Sequence, residues 1–85
     1  MLDPLATPVA EKLSGRETQV LELVSRGQTN MQVAPRLGIG VPAVKFHLAS
    51  IYRKLDVGNR TEATSVYLRA AAGVPWEARE AQGEG

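Results

Sequence analysis

The side chains able to do chemistry are few, and most of them are cations. The sequence has one histidine, His47, and no cysteine. That leaves out a thiolate zinc site, a disulfide framework and a cysteine nucleophile together. One histidine alone falls short of the ligands a metal centre needs. No Ser-His-Asp order, paired carboxylates or glycine-rich phosphate loop is present either. No catalytic residue, metal ligand or cofactor is therefore assigned, and the chain reads as a binding module and not an enzyme. His47 is expected to be packed and hydrogen-bonded. What remains is Lys45 and Phe46, followed by Ala49, Arg53 and Lys54. Carried on one face of a helix, such cations can bond guanine edges or phosphates, and apolar groups can meet thymine methyls.

The helical period sorts these residues onto such a face. Val44, Leu48, Ile51 and Leu55 recur at i, i+4, i+7 and i+11, a continuous apolar stripe that must face a core. Lys45, Phe46, Ala49 and Arg53 fall on the opposite side, with Pro42 and Ser50 near them. An aromatic on a solvated face calls for a partner; a wider helix contact that half covers Phe46 is the alternative. Arg53, Lys54, Arg36 and Arg60 can flank a groove as phosphate contacts, and each also fits an ordinary solvated cation. Thr29 and Asn30, at a helix N-terminus, add backbone amides for a phosphate.

The elements that must hold this face announce themselves by their ends. Ser14-Gly15-Arg16-Glu17 has the form of a capping box, opening a first helix that runs to about Arg26 and stops at Gly27. Its apolar residues are Val20, Leu21, Leu23 and Val24. Thr29-Asn30-Met31-Gln32 is a second box, opening a short helix with Val33, Ala34 and Leu37 inward and Gly38 as its stop. Pro35 lies past its first turn, where a local distortion is expected. The third helix runs from Val41 to Leu55 with Pro42 in its first turn. Asn59-Arg60-Thr61-Glu62 opens a fourth by the same capping logic, ended by Gly73 and Pro75. The turn Leu37-Gly38-Ile39-Gly40, with Ile39 plugging the core, suits a helix-turn-helix unit; a plain helical hairpin fits it too. The fold class expected is all-α, a four-helix bundle with the third helix as recognition helix.

Eighty-five residues make one domain at most. The net charge is only +1, but its distribution is uneven. Residues 12–72 hold nine basic and four acidic side chains, while both ends are acidic. A basic middle fits a phosphate-facing domain; a charge fluctuation in a short chain fits equally. Residues 1–11 read as a flexible arm or linker with Pro4 and Pro8, residues 12–73 as the domain, and residues 74–85 as a tail. In that tail Pro75-Trp76 can open a short turn, with Trp76 docking back on the body or marking a partner contact. No apolar run approaches the roughly 18 residues of a membrane span, and residues 1–10 lack the layout of a secretory signal. A cytoplasmic location is expected, with no membrane partner.

Taken together, these segments resemble a known family. Leu13-Ser14-Gly15-Arg16-Glu17-Thr18-Gln19-Val20-Leu21 is similar to the opening of the LuxR/FixJ-type (GerE-like) helix-turn-helix domain, as is Gly27-Gln28-Thr29-Asn30 ahead of the second helix. Leu37-Gly38-Ile39 and Val44-Lys45-Phe46-His47-Leu48 resemble its turn and recognition helix. The stretch from Ile51-Tyr52-Arg53-Lys54-Leu55 through Asp56-Val57-Gly58-Asn59-Arg60-Thr61-Glu62-Ala63 resembles its third-to-fourth helix junction. The resemblance covers about Leu13 to Ala72 in order and without gaps. It implies a bacterial transcription regulator that binds double-stranded DNA at paired half-sites, in the nucleoid, as a homodimer through the fourth helix, with RNA polymerase as a candidate further partner. By position, Lys45, Phe46 and Ala49 fall where base contacts are made. Thr61, Ser65 and Leu68 fall on the dimer face, and they also form one helical stripe at i, i+4 and i+7. The family usually has Ser or Thr at Gly40, Thr at Ala43, a basic residue at Ala49, Lys-Glu at Met31-Gln32 and Arg near Pro35. Each departure deletes a potential contact, so weaker or altered DNA binding is expected. The competing function is a DNA-binding-impaired domain that serves as a protein-interaction or dimerisation module.

Overall fold

A computed structural model describes residues 11–74. Glu11 and Lys12 are helical, and four helices follow: α1 (Gly15–Ser25), α2 (Asn30–Leu37), α3 (Val41–Leu55) and α4 (Arg60–Ala71). No strand occurs among the described residues. The expected arm over residues 1–10, the Pro75-Trp76 turn and the tail lie outside them.

Both capping boxes form. Ser14 Oγ accepts from the Glu17 amide while Glu17 Oε1 accepts from the Ser14 amide. Thr29 and Gln32 do the same for α2. At α4 only half of this pattern appears. Asn59 Oδ1 accepts from the Glu62 amide, but the Glu62 carboxylate takes the Gly58 amide instead of reaching Asn59. At the other ends, all four helices close in the same way. The second or third residue past the helix returns its amide to a carbonyl about one turn and a half back: Gln28 to Leu23, Ile39 to Ala34, Val57 to Tyr52 and Val74 to Arg69. This closure needs a left-handed residue. Gly27, Gly38 and Gly73 supply it for three helices, and Asp56, at φ 57°, supplies it for α3. Pro35 was expected to distort α2. The helix instead runs unbroken from Asn30 to Leu37 with Pro35 exposed on its surface.

The core draws on every helix. Leu13, Val20, Leu21, Val24, Val33 and Ala34 meet the α3 stripe of Val44, Leu48, Ile51 and Leu55, with Ala63, Val66 and Ala70 from α4. α1 touches all three other helices, so it is the platform on which the others are set. Ile39 packs against this core from the turn between α2 and α3. Two side-chain bonds fix the connections. Arg16 Nη1 donates to the Leu37 carbonyl at the end of α2, and Arg60 Nη1 donates to the Gln28 carbonyl just ahead of it.

Candidate nucleic-acid interface

α3 divides cleanly. All four residues of the apolar stripe are buried, and Lys45, Phe46, Ala49 and Arg53 are exposed together on the far side. Phe46 keeps 72% of its surface in solvent, which decides against the half-covered alternative. Its ring meets the edge of His47, with centroids 5.8 Å apart. His47 is half-buried. The hydrogen bond expected of it is not found among the described residues.

Ser50 departs from the expected placement. It is buried at the α1–α3 boundary, where its hydroxyl donates to Glu17 Oε2 at 2.6 Å. Lys54 Nζ donates to Glu17 Oε1 at 2.9 Å, so a cation read from the sequence as a phosphate contact also holds an ion pair within the domain while its side chain stays exposed. Glu17 is itself only 6% exposed. Burial acts to raise its pKa, but hydrogen bonds from Ser50, the Ser14 amide and Lys54, with the Lys54 charge, outweigh that and hold it down at about 2. A helical wheel finds Glu17 only as a cap. The signal for its second role lies 33 residues away at Ser50, beyond any local pattern.

The flanking residues also separate. Arg53 stays exposed, with Nη2 3.5 Å from Ser50 Oγ. Thr29 is exposed at the start of α2, while Asn30 is half-buried and its Oδ1 accepts from Arg60 Nη2. Arg60 thus braces the entry to α2 from the start of α4. Arg36 is exposed and lines a shallow groove between α1 and α2 with Gln19, Glu22, Leu23 and Leu37, none of them a predicted contact residue. At the start of α3, Gly40 gives no side-chain cap. A Cβ there would meet only Pro42 Cδ, at 3.5 Å, so the site has room for the side chain it lacks.

Thr61, Ser65 and Leu68 are exposed on α4, and Leu68 keeps 52% of its surface in solvent. Together with Thr64, Arg69, Ala72 and Val74 they line a shallow, predominantly apolar groove. Met31, on α2, is a further large apolar side chain left exposed. Among the described residues no group of His, Cys, Asp or Glu is placed to hold a metal ion, and no helix is long and apolar enough to cross a membrane.

The comparisons agree with this architecture. Residues 11–67 match the family described as bacterial regulatory proteins, luxR family. The chain is 41% identical over 66 residues to a probable transcriptional regulatory protein, SgaR, of Hyphomicrobium methylovorum, covering 78% of this chain and 29% of that protein. It is 41% identical over 76 residues to the HTH-type transcriptional activator RamA of Corynebacterium glutamicum, covering 85% and 27%. It is 53% identical over 56 residues to the transcriptional activator protein CarR of Pectobacterium carotovorum, covering 66% and 23%. The chain thus spans less than a third of the length of these relatives. No solved structure matches it significantly. With the helix-turn-helix core and the family match falling on the same residues, the chain belongs to the luxR family of bacterial regulatory proteins.

Proposed function

We propose that this chain binds double-stranded DNA in a sequence-specific manner as a transcription regulator, with α3 in the major groove. The observation that carries this reading is the exposed row of Lys45, Phe46, Ala49 and Arg53 on a helix whose opposite side is wholly buried. A B-DNA major groove is about 12 Å wide and accepts one α-helix. Lys45 and Phe46 then read base edges with Ala49 beside them, while Arg53, Thr29 and the α2 amides take phosphates. Arg36 adds a more distant phosphate contact. Arg60 and Asn30 shape the α2 entry through their mutual bond, whatever they also give to the backbone. The exposed stripe of Thr61, Ser65 and Leu68 pairs two copies for two half-sites. The reading places the protein with the chromosome in the cytoplasm, involves no enzymatic step, and leaves RNA polymerase as a further partner with no surface assigned.

A selection of bound duplexes from a random pool, followed by titration at several salt concentrations, tests it. Wild type is expected to enrich a symmetric sequence and to lose affinity as salt rises. Lys45→Ala is expected to lower affinity for that sequence by about 1–3 kcal/mol. The second reading, a module that has lost DNA binding, is favoured by the uncapped start of α3 at Gly40, by Ala43 and Ala49, and by Met31 and Pro35 exposed on α2. It predicts no enrichment at low salt and a partner that competes at α3 or α2. Tight duplex binding that Lys45→Ala weakens by that amount would remove it.

A further inference from the structure

The Glu17 carboxylate sits where the first turn of α1 meets the last turns of α3. It closes the cap of its own helix by accepting the Ser14 amide at 2.9 Å. Across the interface it accepts Ser50 Oγ at 2.6 Å and Lys54 Nζ at 2.9 Å. Ser50 and Lys54 are four residues apart, which places them one turn from each other on the same edge of α3. The network also reaches outward, because Arg53 Nη2 lies 3.5 Å from the Ser50 hydroxyl.

The core residues that α1 and α3 share are aliphatic: Val20, Leu21 and Val24 belong to one cluster with Val44, Leu48, Ile51 and Leu55. Apolar burial is strong but non-directional. A stripe of aliphatic side chains tolerates a small rotation of one helix about its axis. Hydrogen bonds weaken steeply once bent. Two of them a turn apart, anchored on one fixed carboxylate, resist both rotation and sliding. A turn of about 10° at a helix surface radius of roughly 5–6 Å moves a side-chain tip by about 1 Å. That displacement is enough to spoil a recognition geometry.

We infer that Glu17 is a positioning residue for the outer face of α3: through Ser50 and Lys54 it fixes the helix's rotation, so Lys54 acts inward through Glu17 and does not neutralise a phosphate. The inference rests on the reading of α3 as the DNA-contacting helix and departs from the sequence-based assignment of Lys54.

The two roles of Lys54 differ in the salt dependence of binding. Each phosphate contact adds about 0.9 to the slope of log affinity against log salt. The whole chain, wild type and with Lys54→Met, Ser50→Ala or Glu17→Gln, is titrated on its selected duplex and on an unrelated one. Lys54→Met is expected to keep the wild-type slope and to lose roughly tenfold in affinity for the selected duplex, within the range of coupled contacts. Affinity for the unrelated duplex stays unchanged, and Ser50→Ala acts in the same direction. Adding Glu17→Gln to Lys54→Met should cost little more than either alone. A slope that falls by about 0.9, with both duplexes weakened alike, overturns the inference. If wild type binds no duplex at all, the DNA reading fails and the clamp is judged without DNA. Residual dipolar couplings of the backbone amides then report the angle between α1 and α3. Lys54→Met and Glu17→Gln are expected to change the α3 couplings relative to those of α1; unchanged couplings in both overturn the clamp.

Discussion

Phe46 leaves most of its ring in solvent while every aliphatic on the far side of the same helix is buried. Removing the ring should therefore leave the fold within about 0.5 kcal/mol of wild type. On DNA an apolar ring has nothing to offer a phosphate, but it can pack on a thymine methyl. Phe46→Ala is thus expected to lose about 1–3 kcal/mol of preference at one base pair, with the salt slope unchanged. Comparing duplex pools selected by wild type and variant checks this; two pools with the same preference at every position would count against it. Glu17 makes a different prediction, about stability. In the unfolded chain its carboxyl titrates near the ordinary 4.5, and in the folded chain at about 2. As pH falls, the unfolded state takes up the proton first. The stabilisation is complete above about pH 4.5 and is lost progressively towards pH 2. Its full size is about 3 kcal/mol, of which about 2 kcal/mol is lost between pH 6 and pH 3. Urea unfolding at pH 6 and pH 3 measures it, and Glu17→Gln should flatten the difference by that amount. An equal acid sensitivity in the variant would show that Glu17 is not its source.

The helices were legible because their signals are local. Ser14 with Glu17 and Thr29 with Gln32 are three residues apart, the separation at which a cap side chain and an N3 side chain exchange bonds, and both boxes form. The apolar stripe of α3 is equally short-ranged, so its buried and open faces could be told apart before any contact was known. Ser50 shows where such reading stops. It sits at the border between faces, and the helical period placed it near the outer one. Only the carboxylate of Glu17, brought from another helix, makes burial of its hydroxyl favourable. The bonds that Lys54 and Arg60 make within the domain were out of reach for the same reason, since their partners lie 37 and about 30 residues away. Pro35 is the converse case, a local warning that the helix absorbed on its exposed side. The closure of α3 is the element most open to improvement. Asp56 holds the left-handed position that glycine fills in the other three helices. A side chain there costs roughly 1–2 kcal/mol, less for Asp than for most residues. Asp56→Gly is expected to stabilise the domain by up to about 1 kcal/mol, read as a higher thermal midpoint with α3 unchanged. A lower midpoint would mean that the Asp56 side chain contributes more than its backbone strain removes.

At the scale of the whole molecule the proposed pairing of two copies makes its own prediction. α4 has twelve residues, about 18 Å of helix, and its exposed stripe presents one large apolar side chain, Leu68, with Thr61 and Ser65. A pair of such stripes cannot approach the roughly 1,200 Å² at which stable complexes begin. The contact alone should therefore be weak, and the free chain is expected to sediment as a monomer at micromolar concentration. DNA changes the balance. On the proposed reading, two half-sites about one helical turn apart would hold two copies side by side, so that pairing would become an intramolecular step at millimolar effective concentration. A contact too weak to dimerise the free chain then suffices to make binding cooperative. Leu68→Asp tests this without disturbing the core, because the side chain is half in solvent. It should leave affinity for a single half-site as in wild type and abolish the extra affinity, of at least tenfold, that a paired site gives through multivalency. Sedimentation of the free chain and titration on single and paired half-sites make the comparison. Equal wild-type affinity for the two duplexes would remove the dimer from the mechanism, and loss of half-site binding in Leu68→Asp would move α4 from the dimer contact to the fold itself.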